Sequence, residues 1–118
     1  RFDNPVVLGS DGIGGNMIEE FRLAYFKHRE VDILATPETA WGWLENGWDL
    51  VPEARDDVVT WSYEPMDPWY LAFTPGVRPL EIVVDGEVVF TDGKPTRVDA
   101  EQIRAKAAEQ ARRLHARL

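Results

Sequence analysis

The sequence predicts an α+β chain: one βα unit, a short helical link, a small antiparallel sheet and a terminal helix. Three observations carry this. A continuous apolar run, Pro5-Val-Val-Leu-Gly-Ser10, leads through glycines into a segment of helical period. Beyond residue 57 the period changes to β-branched and aromatic runs around Asp85-Gly86. After Asp99 the helical period returns to the end.

The run Pro5–Ser10 does not alternate, so it predicts a strand buried on both faces, as in parallel sheets. Asp11-Gly-Ile-Gly-Gly15 is too rich in glycine for regular structure. Asn16 can cap a helix from Met17 to about Glu30, with Met17, Phe21, Ala24 and Tyr25 at helical spacing. Glu19 and Glu20 open that helix and Lys27, His28 and Arg29 close it, which suits its dipole. Thr36-Pro37 predicts an N-cap and first helical position for a short helix bearing Ala40, Trp41 and Leu44. Asn46-Gly47 should stop it, leaving Trp48–Asp56 irregular.

Asp57–Tyr63 then predicts a strand. Pro65, Pro68, Pro75 and Pro79 predict loops or edge segments. Glu81–Val84 and Glu87–Phe90 flank Asp85-Gly86, a strong hairpin signal, because a type I′ turn needs positive φ at both central residues. Asp92-Gly93 predicts a second turn before a short strand at Thr96–Val98. Asp99 caps the last helix, with Ile103, Ala107, Ala111, Leu114 and Leu118 along one stripe.

With 118 residues the chain is about one domain long. Its 44% hydrophobic and 29% charged residues are those of a globular protein, and it has no apolar run of membrane-spanning length. A cytoplasmic protein without membrane contact is expected. The absence of Cys excludes disulfides, thiolate metal sites and a thiol nucleophile. The chain opens on Arg1 with no leader pattern, which reads as an excised piece or a mature end. The net charge of −8 argues against a nucleic-acid partner, which would need basic clusters. From Asp99 onward five basic residues face three acids, giving +2 there and −10 on residues 1–98. A helix of that charge reads first as a solvated face.

Asp11 is the most informative candidate. A carboxylate at the C-terminal end of a buried strand, before a glycine-rich turn, stands where α/β barrels place catalytic groups. It equally suits an Asx-turn to the next amides. A phosphate-loop reading of Gly9–Gly15 fails on spacing, and an Asp at its centre would repel phosphate. His28 and His115 have no partners in ligand spacing and read as surface helix residues. Trp41, Trp43, Trp48, Trp61 and Trp69 read as packing, with Trp69 and Tyr70 the candidates for an exposed binding wall.

Val6-Val-Leu-Gly-Ser-Asp11-Gly-Ile-Gly resembles the last barrel strand and following loop of metal-dependent amidohydrolases, in the branch of cytosine, guanine and triazine aminohydrolases and chlorohydrolases. Met17-Ile-Glu-Glu-Phe-Arg22 with Phe26-Lys-His-Arg29 resembles the next helix, particularly that of aminohydrolases linked to selenium metabolism. Val77 through Gly93, with its Val-Val-Asp-Gly-Glu-Val-Val core, is similar to the closing hairpin of that family's composite β-sandwich. Two stretches depart from the family pattern. Trp43-Leu-Glu-Asn-Gly-Trp48 stands where Asn-x-Ala-x-x-Leu-Gly is usual, and Pro52-Glu53 and Asp56-Asp57 replace Pro-Gly and Ala-Asp.

The resemblance implies the last βα unit of a (β/α)8 metal-dependent hydrolase barrel, part of a composite β-sandwich and a C-terminal helix. Residues 1–50 would be the final barrel strand, loop and helices, 51–98 the sandwich portion and 99–118 the C-terminal helix. It implies hydrolysis of non-peptide C–N bonds in a heterocycle, or dechlorination, on a small heterocyclic amine-type substrate. Asp11 would correspond to the family's strand-eight aspartate, which contacts the metal site and takes a proton from metal-bound water. A divalent metal, zinc by family habit, would be held with ligands upstream of this chain. The chain alone is then expected to be inactive, to bind no metal, and either to self-associate through an unpaired Pro5–Ser10 strand or to leave residues 1–30 poorly ordered while the Glu81–Phe90 hairpin stays folded. The rival reading is a noncatalytic binding or assembly module in which Asp11 is a turn residue.

Overall fold

A computed structural model describes residues 4–11, 15–64 and 66–118. Asn16, whose side chain accepts a hydrogen bond from the Ile18 amide at 3.0 Å, starts helix α1, Met17–Val31. Glu19 and Glu20 lie in the first turn and His28 and Arg29 in the last, favourable at both ends of the dipole. The buried stripe is Ile18, Phe21 and Tyr25. Ile18 takes the place expected for Met17, which is half-buried.

Helix α2, Pro37–Glu45, begins at Pro37 behind an extended Thr36, whose side chain makes no cap bond. Helix α2 stops where expected, with Asn46 as its C-cap, and the stretch after it is what differs. Asn46 stays right-handed (φ −58°, ψ −18°) and Gly47 opens another helical turn, α3, Gly47–Leu50. A 3-10 turn follows at Pro52–Asp56, so the stretch expected to be irregular is largely helical. Pro52 pre-sets its first φ, and Arg55 ties it back to the Asp49 carboxylate at 2.6 Å.

The proline-rich stretch holds a further helix, α4, Pro68–Phe73, where loops or edge segments were expected. Pro68 occupies the first turn, and the Asp67 carboxylate accepts from the amides of Trp69 (2.8 Å) and Tyr70 (3.2 Å). Aspartate then proline is a start signal, not a breaker.

The sheet is a four-stranded antiparallel meander in the order β1-β2-β3-β4. Its strands are β1 Val58–Trp61, β2 Pro79–Val84, β3 Glu87–Thr91 and β4 Lys94–Pro95. Asp85 and Gly86 (φ +51° and +76°), and Asp92 and Gly93 (+51° and +75°), supply the paired left-handed positions of two tight turns. The second turn sets Lys94 opposite Thr91 and Pro95 opposite Phe90. The last strand is therefore Lys94–Pro95 and not Thr96–Val98. Pro95 has no amide to extend the ladder, although the Thr96 amide and hydroxyl still bond the Val89 and Val88 carbonyls.

Pro5–Ser10 is a second correction. Its described backbone forms no strand, and Val7 is 40% exposed. The described residues give it no parallel neighbour. Its described ties are the Asn46 amide group donating to the Val6 carbonyl at 2.8 Å and Leu8 packed against the helical core.

The core lies among α1, α2 and α4: Ile18, Phe21, Tyr25, Ala40, Leu71, Ala72 and Val77. It joins residues from both sides of the boundary expected after residue 50. The sheet is different. None of its residues is buried, and no helix packs closely on it. Neighbouring Ile82 and Val83 point to opposite faces and pair with Val59 and Val58, so both faces are apolar. The radius of gyration is 17.2 Å, against about 13–14 Å for a compact domain of this length.

Helix α5, Ala100–His115, is capped by Asp99 accepting from the Gln102 amide at 2.9 Å. It packs closely against no other element, and nearly its whole surface is exposed.

Candidate functional site

Asp11 closes the extended N-terminal segment. Its backbone is left-handed, φ +49°, and it is exposed. Such a φ is uncommon for a residue with a side chain, though Asp tolerates it better than most. The glycine-rich loop expected after it, Gly12–Gly14, lies outside the described residues. Among the described residues no three His, Asp or Glu side chains converge in a way that could hold a metal.

The two histidines are far apart in role. The His28 ring lies against Trp43 with centroids 5.0 Å apart, and His115 is exposed in the last turn of α5. Neither is brought to Asp11 in any described ligand group.

The tryptophans divide. Trp41 makes an edge contact with Phe21 at 5.4 Å and donates its indole N–H to Glu45 at 2.9 Å. Trp43 and Trp61 also pack on the core. Trp48 and Trp69 are about half exposed. Trp69 belongs to a cleft between α1 and α4, about 450 Å³ in volume, lined by Tyr25, Phe26, Arg29, Glu30, Trp69 and Phe73. Phe73 meets Tyr25 and Phe26 edge-on, both at 5.9 Å, and lies roughly parallel to Trp69 at 6.4 Å. Short amphipathic α4 and the last turns of α1 present these rings because their other faces are committed to the core.

The rim of the cleft is charged. The Trp69 indole donates to the Glu38 carboxylate. Hydrogen bonding from the Thr36 side chain, then from Glu38's own backbone amide, holds that carboxyl below the usual carboxylate range, with a smaller contribution from Trp69. Arg29 donates to the Ala35 carbonyl at 2.9 Å, and Glu30 pairs with Lys27 at 2.9 Å. Beside the cleft Tyr63 and Tyr70 stack at 3.7 Å, nearly coplanar at 8°. Desolvation, then the neighbouring Tyr70 and Asp67, pushes the Tyr63 phenol up.

A second, larger concavity on the sheet, about 730 Å³, runs from Thr60 and Arg78 to Phe90 and Asp92. Phe26 and Phe73 were not singled out by the sequence. The cap Asp67-Pro68 was the available signal, since a helix there turns Phe73 onto the face shared with Trp69.

Asp11 and the aromatic cleft are thus separate features, one a lone carboxylate on an irregular segment, the other an open apolar trough with mixed charge at its edge. Comparisons with protein-family models, with curated proteins and with solved structures matched nothing. No helix among the described residues is long and apolar enough to cross a membrane.

Proposed function

We propose that this chain is the C-terminal part of a metal-dependent hydrolase of the amidohydrolase type, acting on C–N or C–Cl bonds of a heterocycle. The observation that carries this reading is the uncovered sheet. A meander with Val58 and Val83 on one face and Val59 and Ile82 on the other needs further strands or layers over it, as a composite sandwich would supply. The resemblance of Val6–Gly14 to a final barrel strand and loop adds Asp11 as the chain's contribution to the reacting centre.

The described residues do not themselves fit a metal. A catalytic zinc has about three protein ligands, and Asp11 is the sole candidate beside the segment that carries the resemblance. What this chain offers is a carboxylate at the end of the resembling segment, a group able to hold or move a proton at its Oδ atoms. Ligands and substrate pocket belong to residues outside it.

One observation favours the rival binding-module reading: a left-handed Asp11 is also what a turn residue adopts. Expression of the longer reading frame separates the two. Release of ammonia or chloride from a panel of amino- and chloro-substituted pyrimidines, purines and triazines, abolished by Asp11→Asn, is expected. A longer protein that holds no metal and turns over none of them ends the enzyme reading.

A further inference from the structure

Two of the chain's three tyrosines lie face to face. Tyr63 follows the end of β1 and Tyr70 stands on α4, and their rings stack with centroids 3.7 Å apart and 8° between the planes. Aromatic pairs usually keep their centroids about 4.5–7 Å apart, offset or edge-on. This pair is closer, so one ring lies almost squarely over the other.

That overlap has a chemical consequence. A phenol that gives up an electron and its hydroxyl proton becomes a phenoxyl radical, with unpaired spin on the two ring carbons that flank the C–O carbon, Cε1 and Cε2. Two such radicals join through these carbons. They sit on either side of each hydroxyl, so any in-plane rotation of two superposed rings leaves one Cε of Tyr63 close to one of Tyr70. The gap is then near carbon–carbon contact, roughly 3.5–4 Å. Exposure favours a partner in the same chain. Tyr70 is 41% exposed and open to an oxidant, whereas Tyr63 is half-buried against the helical core and shielded from the tyrosines of other copies. Tyr25, the third tyrosine, is 2% exposed and takes no part.

We propose that Tyr63 and Tyr70 form an oxidative cross-linking site, coupled into an intrachain dityrosine by a peroxide-driven one-electron oxidant such as a haem peroxidase. Each phenol loses one electron and one proton to the oxidant. A Cε–Cε bond forms between the two radicals. The hydrogen on each joined carbon then moves as a proton to its own phenol oxygen, which restores both rings. The two electrons and two protons removed reduce one hydrogen peroxide to two waters. The bond fastens the end of β1 to α4, a covalent tie that this cysteine-free chain cannot make through sulfur. The inference is independent of the proposed enzymatic role.

The test is treatment of the dilute full chain with peroxidase and hydrogen peroxide. A product that runs as a monomer on a denaturing gel and carries blue dityrosine fluorescence is expected. Mild acid then cuts the chain's one Asp–Pro bond, Asp67–Pro68, which lies between the two tyrosines. Residues 1–67 and 68–118 should stay joined in the oxidised chain and separate in the untreated one. Tyr63→Phe and, separately, Tyr70→Phe should each abolish both the fluorescence and the join, while Tyr25→Phe should keep both. Phe preserves the ring, so none of these changes should unfold the chain, and circular dichroism checks this. Halves that separate after oxidation overturn the proposal. So does fluorescence confined to cross-linked dimers, or a join that survives Tyr63→Phe.

Discussion

Asn16 donates a hydrogen bond from its side-chain amide to the carbonyl of Val77, 3.3 Å away and 61 residues distant in sequence. The same side chain caps α1 through its oxygen. One residue therefore both starts the helix and ties it to the segment that leads into β2. Asn16→Ala should cost about 1–2 kcal/mol, from a lost cap and an unpaired carbonyl. Asn16→Asp should recover most of the cap without the donor, and urea denaturation would rank the two.

Phe21 is fully buried and meets Trp41 edge-on. Phe21→Ala should destabilise the helical core by about 3–5 kcal/mol, the usual cost of emptying an aromatic site. Loss of amide protection across α1, α2 and α4, with the β2–β3 hairpin less affected, is the expected exchange pattern.

Glu38 gives a pH dependence of known sign. Its folded carboxyl sits below the usual carboxylate value, first because of the Thr36 hydrogen bond. The unfolded chain therefore binds the proton more tightly. The stability Glu38 contributes is present above 4.5 and is lost as pH falls through the lower folded value. Glu38→Gln should flatten that part of the acid limb of a stability profile and shift the indole N–H resonance of Trp69. An unchanged limb would show that the carboxylate contributes nothing there.

On the proposed hydrolase reading, Asp11→Asn in a longer protein that carries this chain should lower kcat by at least about 10²-fold, the low end for losing an acid–base group. Its melting temperature should hardly move, because Asp11 is exposed. Rates near normal on a true substrate would reduce Asp11 to a turn residue.

The local elements were legible wherever one residue's chemistry decides them. Asn16 and Asp99 cap as their side chains require, and Asp85-Gly86 and Asp92-Gly93 turn as positive φ demands. Elements that depend on distant partners were not. Pro5–Ser10 has the composition of a buried strand, but strand pairing needs a neighbouring strand, and its described contacts are the Asn46 side chain and the packing of Leu8 on the helical core. Asn46-Gly47 ends α2 as its composition requires, yet the chain turns helical again beyond it, where Pro52 opens a 3-10 turn and Arg55 bonds Asp49. In the candidate site Asp11 was legible as a position, and the cleft was not. Phe26 and Phe73 come together only because α4 is a helix, which four prolines had argued against.

Trp61 ends β1 and packs against the helical core, while the rest of the sheet stands clear of it. The helical core and the sheet should therefore behave as two cooperative units, joined through Trp61, Tyr63 and Val77. Heating should melt them in separate steps, so that a single melting temperature would not describe the molecule. A substitution such as Phe21→Ala would move one step and leave the other in place, whereas Trp61→Ala would uncouple them.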